Sequence, residues 1–255
     1  MKMKRFKEKM NRFLKKVTNF LEMSLFPADM KCAFCDRDVP DFENNPFCDS
    51  CEKEIIFNNG NRCLICGEPI DNEAVVCNFC QKHGRSFKKA ICPFVYSGKV
   101  RTSVLAFKDS NKRYLAKVFA KFIYDAIKSE GIEFNRLTYI PLTVKKKKKR
   151  GFNQAELLAK ELGILMKVSP ENMFIKTKDV KAQKFSSFQE RHDNMIGMYI
   201  LADVKFKNSD NILIIDDIIT TGATVDYCSM LCAKKVANVY IAAIARNKLK
   251  EKVDS

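Results

Sequence analysis

Long hydrophobic runs are missing from this sequence. No stretch approaches 18 consecutive apolar residues, so no transmembrane segment is expected. The opening residues, MKMKRFKEKMNRFLKK, have charge but no apolar core, and a secretory leader is not expected either. Histidine is scarce: His83 and His192 are the two present, and both read as surface residues, not as catalysts or ligands. Acidic side chains are outnumbered, 30 against 46 basic ones, for a net charge of +16. That excess is concentrated. Residues 1–20 hold eight basic residues and one acidic residue, and KKKKKR at 145–150 adds six more. The remainder is nearly balanced. Two places could therefore meet an anion such as nucleic acid.

Hydrophobic residues make up 46% of 255 residues, which is room for one medium α/β domain and a small module. Cysteine is plentiful, with eleven residues, eight of them between Cys32 and Cys80. They form four Cys-x-x-Cys pairs: Cys32/Cys35, Cys48/Cys51, Cys63/Cys66 and Cys77/Cys80. Each pair is a knuckle that aims two sulfurs at one ion, and two knuckles complete a tetrahedral S4 site suited to zinc. Twelve residues separate Cys35 from Cys48, and ten separate Cys66 from Cys77. Consecutive pairing into two zinc ribbons is expected; interleaved pairing is the alternative. Both sites look full, hence structural, with two zinc ions in all. Metal would supply much of the folding energy of so short a segment. Metal-type spacing also points to a reducing cytoplasm.

Along the chain, Phe6, Met10, Phe13, Leu14, Val17, Phe20, Leu21 and Leu25 have helical spacing opposite a basic face. Residues 1–28 thus read as a basic amphipathic helix, docked on the body or facing a membrane surface or nucleic acid. Residues 29–86 read as the double zinc ribbon and 87–255 as the α/β domain. In the latter, strands are expected near Ala90–Tyr96, Leu137–Pro141, 173–176, Tyr199–Leu201 and Asn238–Ala245. Helices are expected over Val100–Phe107, Lys112–Ile127 and from Gln154 to about Leu162. Such alternation implies a mostly parallel sheet. The run Lys145, Lys146, Lys147, Lys148, Lys149 and Arg150 reads as a loop between strand and helix, where α/β folds place ligands. It is a solvated loop, a contact for a leaving pyrophosphate, or a contact for a nucleic-acid backbone. Phe6, Phe13 and Phe152 lie near cations and could stack on bases. Cys228 and Cys232 share one helix face and read as core thiols.

The most informative stretch is Asn211–Thr224, NILIIDDIITTGAT. Ile212-Leu213-Ile214-Ile215 reads as a strand buried on both faces. Asp216 and Asp217 follow, then Thr220-Thr221-Gly222-Ala223-Thr224 opens into a helix. Such a turn aims backbone N–H groups and hydroxyls at one point beside a positive helix end, where a phosphate fits. The carboxylates suit sugar hydroxyls or a divalent metal.

This string resembles the signature of type I phosphoribosyltransferases that binds 5-phosphoribosyl-1-pyrophosphate (PRPP). The resemblance implies that Thr220, Thr221, Gly222, Ala223 and Thr224 embrace the 5-phosphate and that Asp216 and Asp217 hold the ribose 2- and 3-hydroxyls. More widely, the zinc knuckles, Tyr96-x-Gly98, Ile140-Pro141, Arg150-Gly151-Phe152-Asn153-Gln154, and Gln183 with Arg191-x-x-Asn194 resemble the ComF family. Those proteins are phosphoribosyltransferase-like and are associated with competence for natural transformation. Two departures are Pro141-Leu142-Thr143, where Pro-x-Pro is common, and Ser186, where leucine is usual. The resemblance implies a type I phosphoribosyltransferase-like sheet, a cytoplasmic location, PRPP bound with Mg²⁺, and contact with single-stranded DNA and DNA-processing proteins of competence. As an enzyme it would displace pyrophosphate from PRPP, with Asp216 and Asp217 fixing the ribose and Arg150 stabilising the leaving group. Gln183, Arg191 and Asn194 would belong to a lid over the PRPP. The alternative is a non-catalytic nucleic-acid-binding module that keeps the fold for PRPP or nucleotide sensing.

Overall fold

A computed structural model describes residues 31–39, 45–71, 73–109, 112–178 and 196–248. The expected helix over 1–28 lies outside the described residues. The chain divides into two compact units, Met1–Lys53 and Glu54–Ser255. In the first, Cys32, Ala33, Val39, Phe47 and Cys51 are buried, and the Phe34 and Phe47 rings pack 4.6 Å apart. Its short helix α1 is Asp49–Glu52.

The second unit starts with the second cysteine tetrad and α2 (Asn78–His83). Then come β1 (Lys89–Ile91), β2 (Phe94–Val95), α3 (Gly98–Asp109), α4 (Leu115–Ser129) and β3 (Arg136–Tyr139). They are followed by α5 (Val144–Arg150), α6 (Gln154–Met166), β4 (Pro170–Glu171), β5 (Phe174–Lys176) and β6 (Tyr199–Leu201). The last three are β7 (Asn211–Ile219), α7 (Ala223–Ala233) and β8 (Asn238–Arg246).

The main sheet has the order β1-β8-β7-β3-β4, with β2 also on β8, and its pairings are parallel. β5 and β6 form a separate antiparallel ribbon. Ile212, Leu213, Ile214 and Ile215 are fully buried, as a strand covered on both faces must be. Each such side chain contributes about 1.5–3 kcal/mol of burial before entropy is subtracted. α4 turns Leu115, Val118, Phe119, Ile123 and Ile127 inward at helical spacing. The outer side of β1 is not open, because the Ala90 N–H donates to the Ile65 carbonyl at 2.7 Å. The segment bearing the second tetrad thereby closes a sheet edge.

Two elements differ from expectation. β7 does not stop at Ile215. β8 runs beside it as far as Arg246, pairing Asp216 with Ala243 and Ile219 with Arg246, so the acidic pair lies inside the strand. The basic run is a helix, not a loop. Thr143 Oγ1 accepts from the Lys146 N–H at 3.3 Å, and Gly151, at φ 80°, ends the helix in the left-handed region.

From β3 the chain steps outward to β4, whereas from β7 it steps the other way to β8. The direction of winding reverses between β3 and β7. In open α/β sheets a crevice forms at the carboxyl ends of such strands, and ligands bind there.

Candidate phosphate-binding cleft and metal centres

A cleft of about 150 Å³ lies at that reversal. Asp216 and Asp217 from β7 and Thr224 from α7 line it, with Ile140 and Pro141 beyond β3, Asn153 and Gln154 at the start of α6, and Lys176 and Tyr199 from the β5–β6 ribbon. The acidic pair is tightly fixed. Asp216 Oδ1 accepts from the Asp217 N–H at 2.8 Å, and Asp217 Oδ1 accepts from the Ile218 N–H at 2.7 Å. Lys108 Nζ stands 2.7 Å from Asp217 Oδ2. Burial, reinforced by the neighbouring Asp217 carboxylate, pushes the Asp216 carboxyl up to about 8. Lys108 and Lys176 pull it the other way.

Thr220 to Thr224 pass from the end of β7 into α7. Gly222 is the N-cap residue, at φ 79°. Thr221 Oγ1 accepts from the Ala223 N–H at 3.4 Å. Thr220 is exposed, Thr221 and Thr224 are half-buried, and Gly222 and Ala223 are buried. Of these five, Thr224 lines the cleft together with the carboxylates.

The Arg150–Gln154 string supports the cleft wall. Asn153 Oδ1 accepts from the Ala155 N–H at 3.1 Å, and Asn153 Nδ2 donates to the Ile140 carbonyl at 3.0 Å. One side chain thus caps α6 and ties it to the end of β3. Gln154 Nε2 donates to the Lys108 carbonyl at 3.2 Å, which holds the residue whose ammonium reaches Asp217. Arg150 is exposed on α5 and is not among the cleft-lining residues. Lys145, Lys146, Lys147 and Lys148 also face outward, with Lys147 Nζ 2.8 Å from Glu156 Oε2. Phe152 is engaged within the protein, against Arg113 at 4.8 Å and the Phe107 ring at 5.9 Å. Gln183, Arg191, Asn194, Phe6 and Phe13 lie outside the described residues.

The eight cysteines gather as Cys32, Cys35, Cys48 and Cys51, and as Cys63, Cys66, Cys77 and Cys80, which is the consecutive pairing. Within each group the sulfurs lie within 4.8 Å of one another. Cys35 and Cys48 Sγ are 3.6 Å apart, and Cys66 and Cys77 Sγ are 3.7 Å apart. A tetrahedron with Zn–S bonds of about 2.3 Å separates its sulfurs by about 3.8 Å, so both groups fit a zinc ion. The Cys66 N–H points at Cys63 Sγ at 3.5 Å within one knuckle, and the Cys48 N–H points at Cys32 Sγ at 3.3 Å between the two knuckles of the first tetrad. With all four positions filled by sulfur, these are structural centres. Cys228 and Cys232 are fully buried on α7, and burial pushes both thiols up, as suits inert core residues.

Sequence reasoning missed Lys176 in the cleft, Lys108 beside Asp217, and Arg85 and Arg246 behind the loop. None lies in a recognisable string, and each reaches its place from a different element.

The chain matches the family described as a double zinc ribbon domain over residues 23–81. It is 26% identical over 226 residues to Competence protein F of Haemophilus influenzae, covering 86% of this chain and 97% of that protein. It is 27% identical over 207 residues to Competence protein ComFC of Bacillus subtilis, covering 74% and 78%. Among solved structures it is similar to a Trypanosoma cruzi hypoxanthine phosphoribosyl transferase, with a TM-score of 0.29 and 14% identity, over 54% of this chain and 74% of that one. Among the described residues no helix is long and apolar enough to cross a membrane. Over most of its length the chain is similar to these competence proteins, and it pairs a double zinc ribbon near its N-terminus with a mostly parallel α/β domain.

Proposed function

We propose that this protein binds PRPP with Mg²⁺ in the β3/β7 cleft, binds single-stranded DNA, and acts in the cytoplasm in DNA uptake during natural transformation. The observation that carries the reading is the meeting of Asp216, Asp217 and Thr224 in one cleft at the winding reversal of the sheet. In this reading the Thr220–Thr224 turn takes the 5-phosphate on its N–H groups and hydroxyls, at the positive end of α7. Asp216 and Asp217 accept hydrogen bonds from the ribose hydroxyls. Mg²⁺, when bound, would neutralise charge at the pyrophosphate, and the Asp216 and Asp217 carboxylates are the donors that would hold it.

The reaction class that suits the cleft is displacement of pyrophosphate from PRPP by an acceptor. Its transition state is oxocarbenium-like, so positioning and charge neutralisation count for more than a strong base. Lys176 sits in the cleft and Arg150 at the end of α5, on the segment that joins β3 to α6. Both are assigned to the charge that develops on the leaving pyrophosphate.

The competence role is supported by the names of Competence protein F and Competence protein ComFC, whose likeness spans most of the chain. DNA binding is supported by the outward-facing cations of α5. The test is equilibrium binding of PRPP to the wild type and to the Asp216→Ala/Asp217→Ala variant. PRPP binding should be lost in the variant while DNA binding stays. A variant that binds PRPP as well as the wild type would end this reading.

A further inference from the structure

Two buried arginines join the second cysteine tetrad to the backbone of the phosphate loop. Arg246 ends β8 and is fully buried. On one side its Nε donates to the Cys66 carbonyl at 3.1 Å, and its Nη2 lies 3.8 Å from Cys66 Sγ and 3.5 Å from Glu68 Oε2. On the other side its Nη1 donates to the Ile219 carbonyl at 3.1 Å and to the Thr220 carbonyl. Arg85 follows α2. Its guanidinium stacks 4.2 Å over the ring of Phe79, which lies between Cys77 and Cys80. Its Nη2 donates to the Thr221 carbonyl at 3.0 Å, and its Nη1 is 3.9 Å from Asp226 Oδ2.

The consequence follows from peptide geometry. In a trans peptide the carbonyl and the N–H point to opposite sides. The carbonyls of Thr220 and Thr221 face the arginines. The N–H groups of Thr221 and Gly222, which share those peptides, therefore face away from the tetrad. Gly222 fits because a Cβ there would stand 3.4 Å from Arg85 Nη1, at a φ of +79° that side chains rarely adopt. A guanidinium stays charged even when buried, so Arg246 needs anions nearby. Four thiolates around one Zn²⁺ carry a net charge of −2, and Glu68 adds another negative charge. The loaded tetrad thus holds Arg246 in the position from which it grips the loop.

We infer that the second cysteine tetrad sets the anion-binding conformation of Thr220–Gly222, with Arg246 and Arg85 as positioning residues. The functional sense of this rests on the reading that the loop takes a 5-phosphate. The zinc centre is then more than a staple for its own segment. It acts on the loop backbone through two side chains.

The test uses the full-length, zinc-loaded chain and the variants Arg246→Gln, Arg246→Lys and Arg85→Gln. Zinc per chain is measured first and should match the wild type, because the thiolates are untouched. Amide exchange is then followed at residues 221–224, with residues 212–215 of β7 as the internal reference. A hydrogen bond from a charged donor is worth about ten- to a hundredfold in an equilibrium. Loop amides should therefore exchange at least tenfold faster in both glutamine variants while β7 keeps its protection, with Arg246→Lys recovering part of the loss. Titration with PRPP and Mg²⁺ should show affinity falling by a similar factor.

Unchanged loop exchange in both glutamine variants would overturn the inference. So would acceleration that spreads equally through β7, since that is what a merely structural role gives. If Arg246→Gln fails to fold, Arg85→Gln decides by the same criteria. Loosened loop amides in a protein whose wild type ignores PRPP would keep the clamp and reject the PRPP reading. Wild-type PRPP affinity in variants with unaltered exchange would reject the clamp and keep that reading.

Discussion

On the proposed reading, the raised pKa of Asp216 should make PRPP binding a proton-linked event. In the free protein, burial and the Asp217 carboxylate push Asp216 up to about 8. Holding Mg²⁺ requires the ionised form, and the ionised form is the stronger acceptor for ribose hydroxyls. One unit below its pKa, at pH 7, a carboxyl is about nine-tenths protonated, so binding should release close to one proton. Affinity for PRPP with Mg²⁺ should rise roughly tenfold between pH 6 and 7, climb further to about pH 8, and then level off. The cost carried at pH 7 is about 1.4 kcal/mol. The assay is calorimetry at pH 7 in two buffers of different ionisation enthalpy. The observed heats should differ by nearly one proton's worth of buffer ionisation, and Asp216→Asn should abolish the difference. Equal heats for a wild type that does bind would refute the placement of Asp216 in the ligand shell.

Stability should carry the same signature in the absence of ligand. A carboxyl whose pKa is raised by folding holds its proton more tightly in the folded state, so stability falls as pH rises from about 4 towards about 8. Asp216→Asn should therefore raise the melting temperature more at pH 8 than at pH 4, by about 2–4 °C per kcal/mol for a chain of this size; an equal change at both pH values would contradict the shift. Metal analysis should find two zinc ions per chain, and chelation should lower the melting temperature; a single ion would leave one tetrad unexplained. Replacing Lys145 to Lys149 with glutamine should reduce the salt slope of single-stranded DNA binding by about 0.7 for each lysine on a phosphate. An unchanged slope would remove α5 from the interface.

The fold was legible where local pattern and tertiary outcome coincide. The β-branched run at Ile212 already required a strand covered on both faces, and the knuckle spacing already specified two tetrads. The acidic pair was found in sequence and is found in the cleft. What failed to show was anything set by a distant partner. The length of β7 depends on β8, which carries the ladder past Asp216 to Ile219. The helix at the basic run depends on Thr143 and Gly151, outweighing the repulsion among its lysines. Arg150 stands exposed at the end of α5, outside the cleft-lining residues, a placement that its string alone did not specify. Lys108 stands 109 positions before Asp217 in sequence, and no periodicity connects them. Arg246 ends a strand rich in apolar residues, and a single charge there gives no sign of the loop and the tetrad it joins. The string Asn153-Gln154 was read for its resemblance. Its physical role is to cap α6 and to anchor the end of β3 and Lys108 around the cleft.

The most direct measurement is an experimental structure of the protein grown or soaked with PRPP and Mg²⁺. The 5-phosphate should lie about 2.9 Å from N–H groups of the Thr221–Thr224 turn, with the ribose hydroxyls on Asp216 and Asp217. Density for the ligand on the basic face of α5, with the β3/β7 cleft unchanged, would contradict the account.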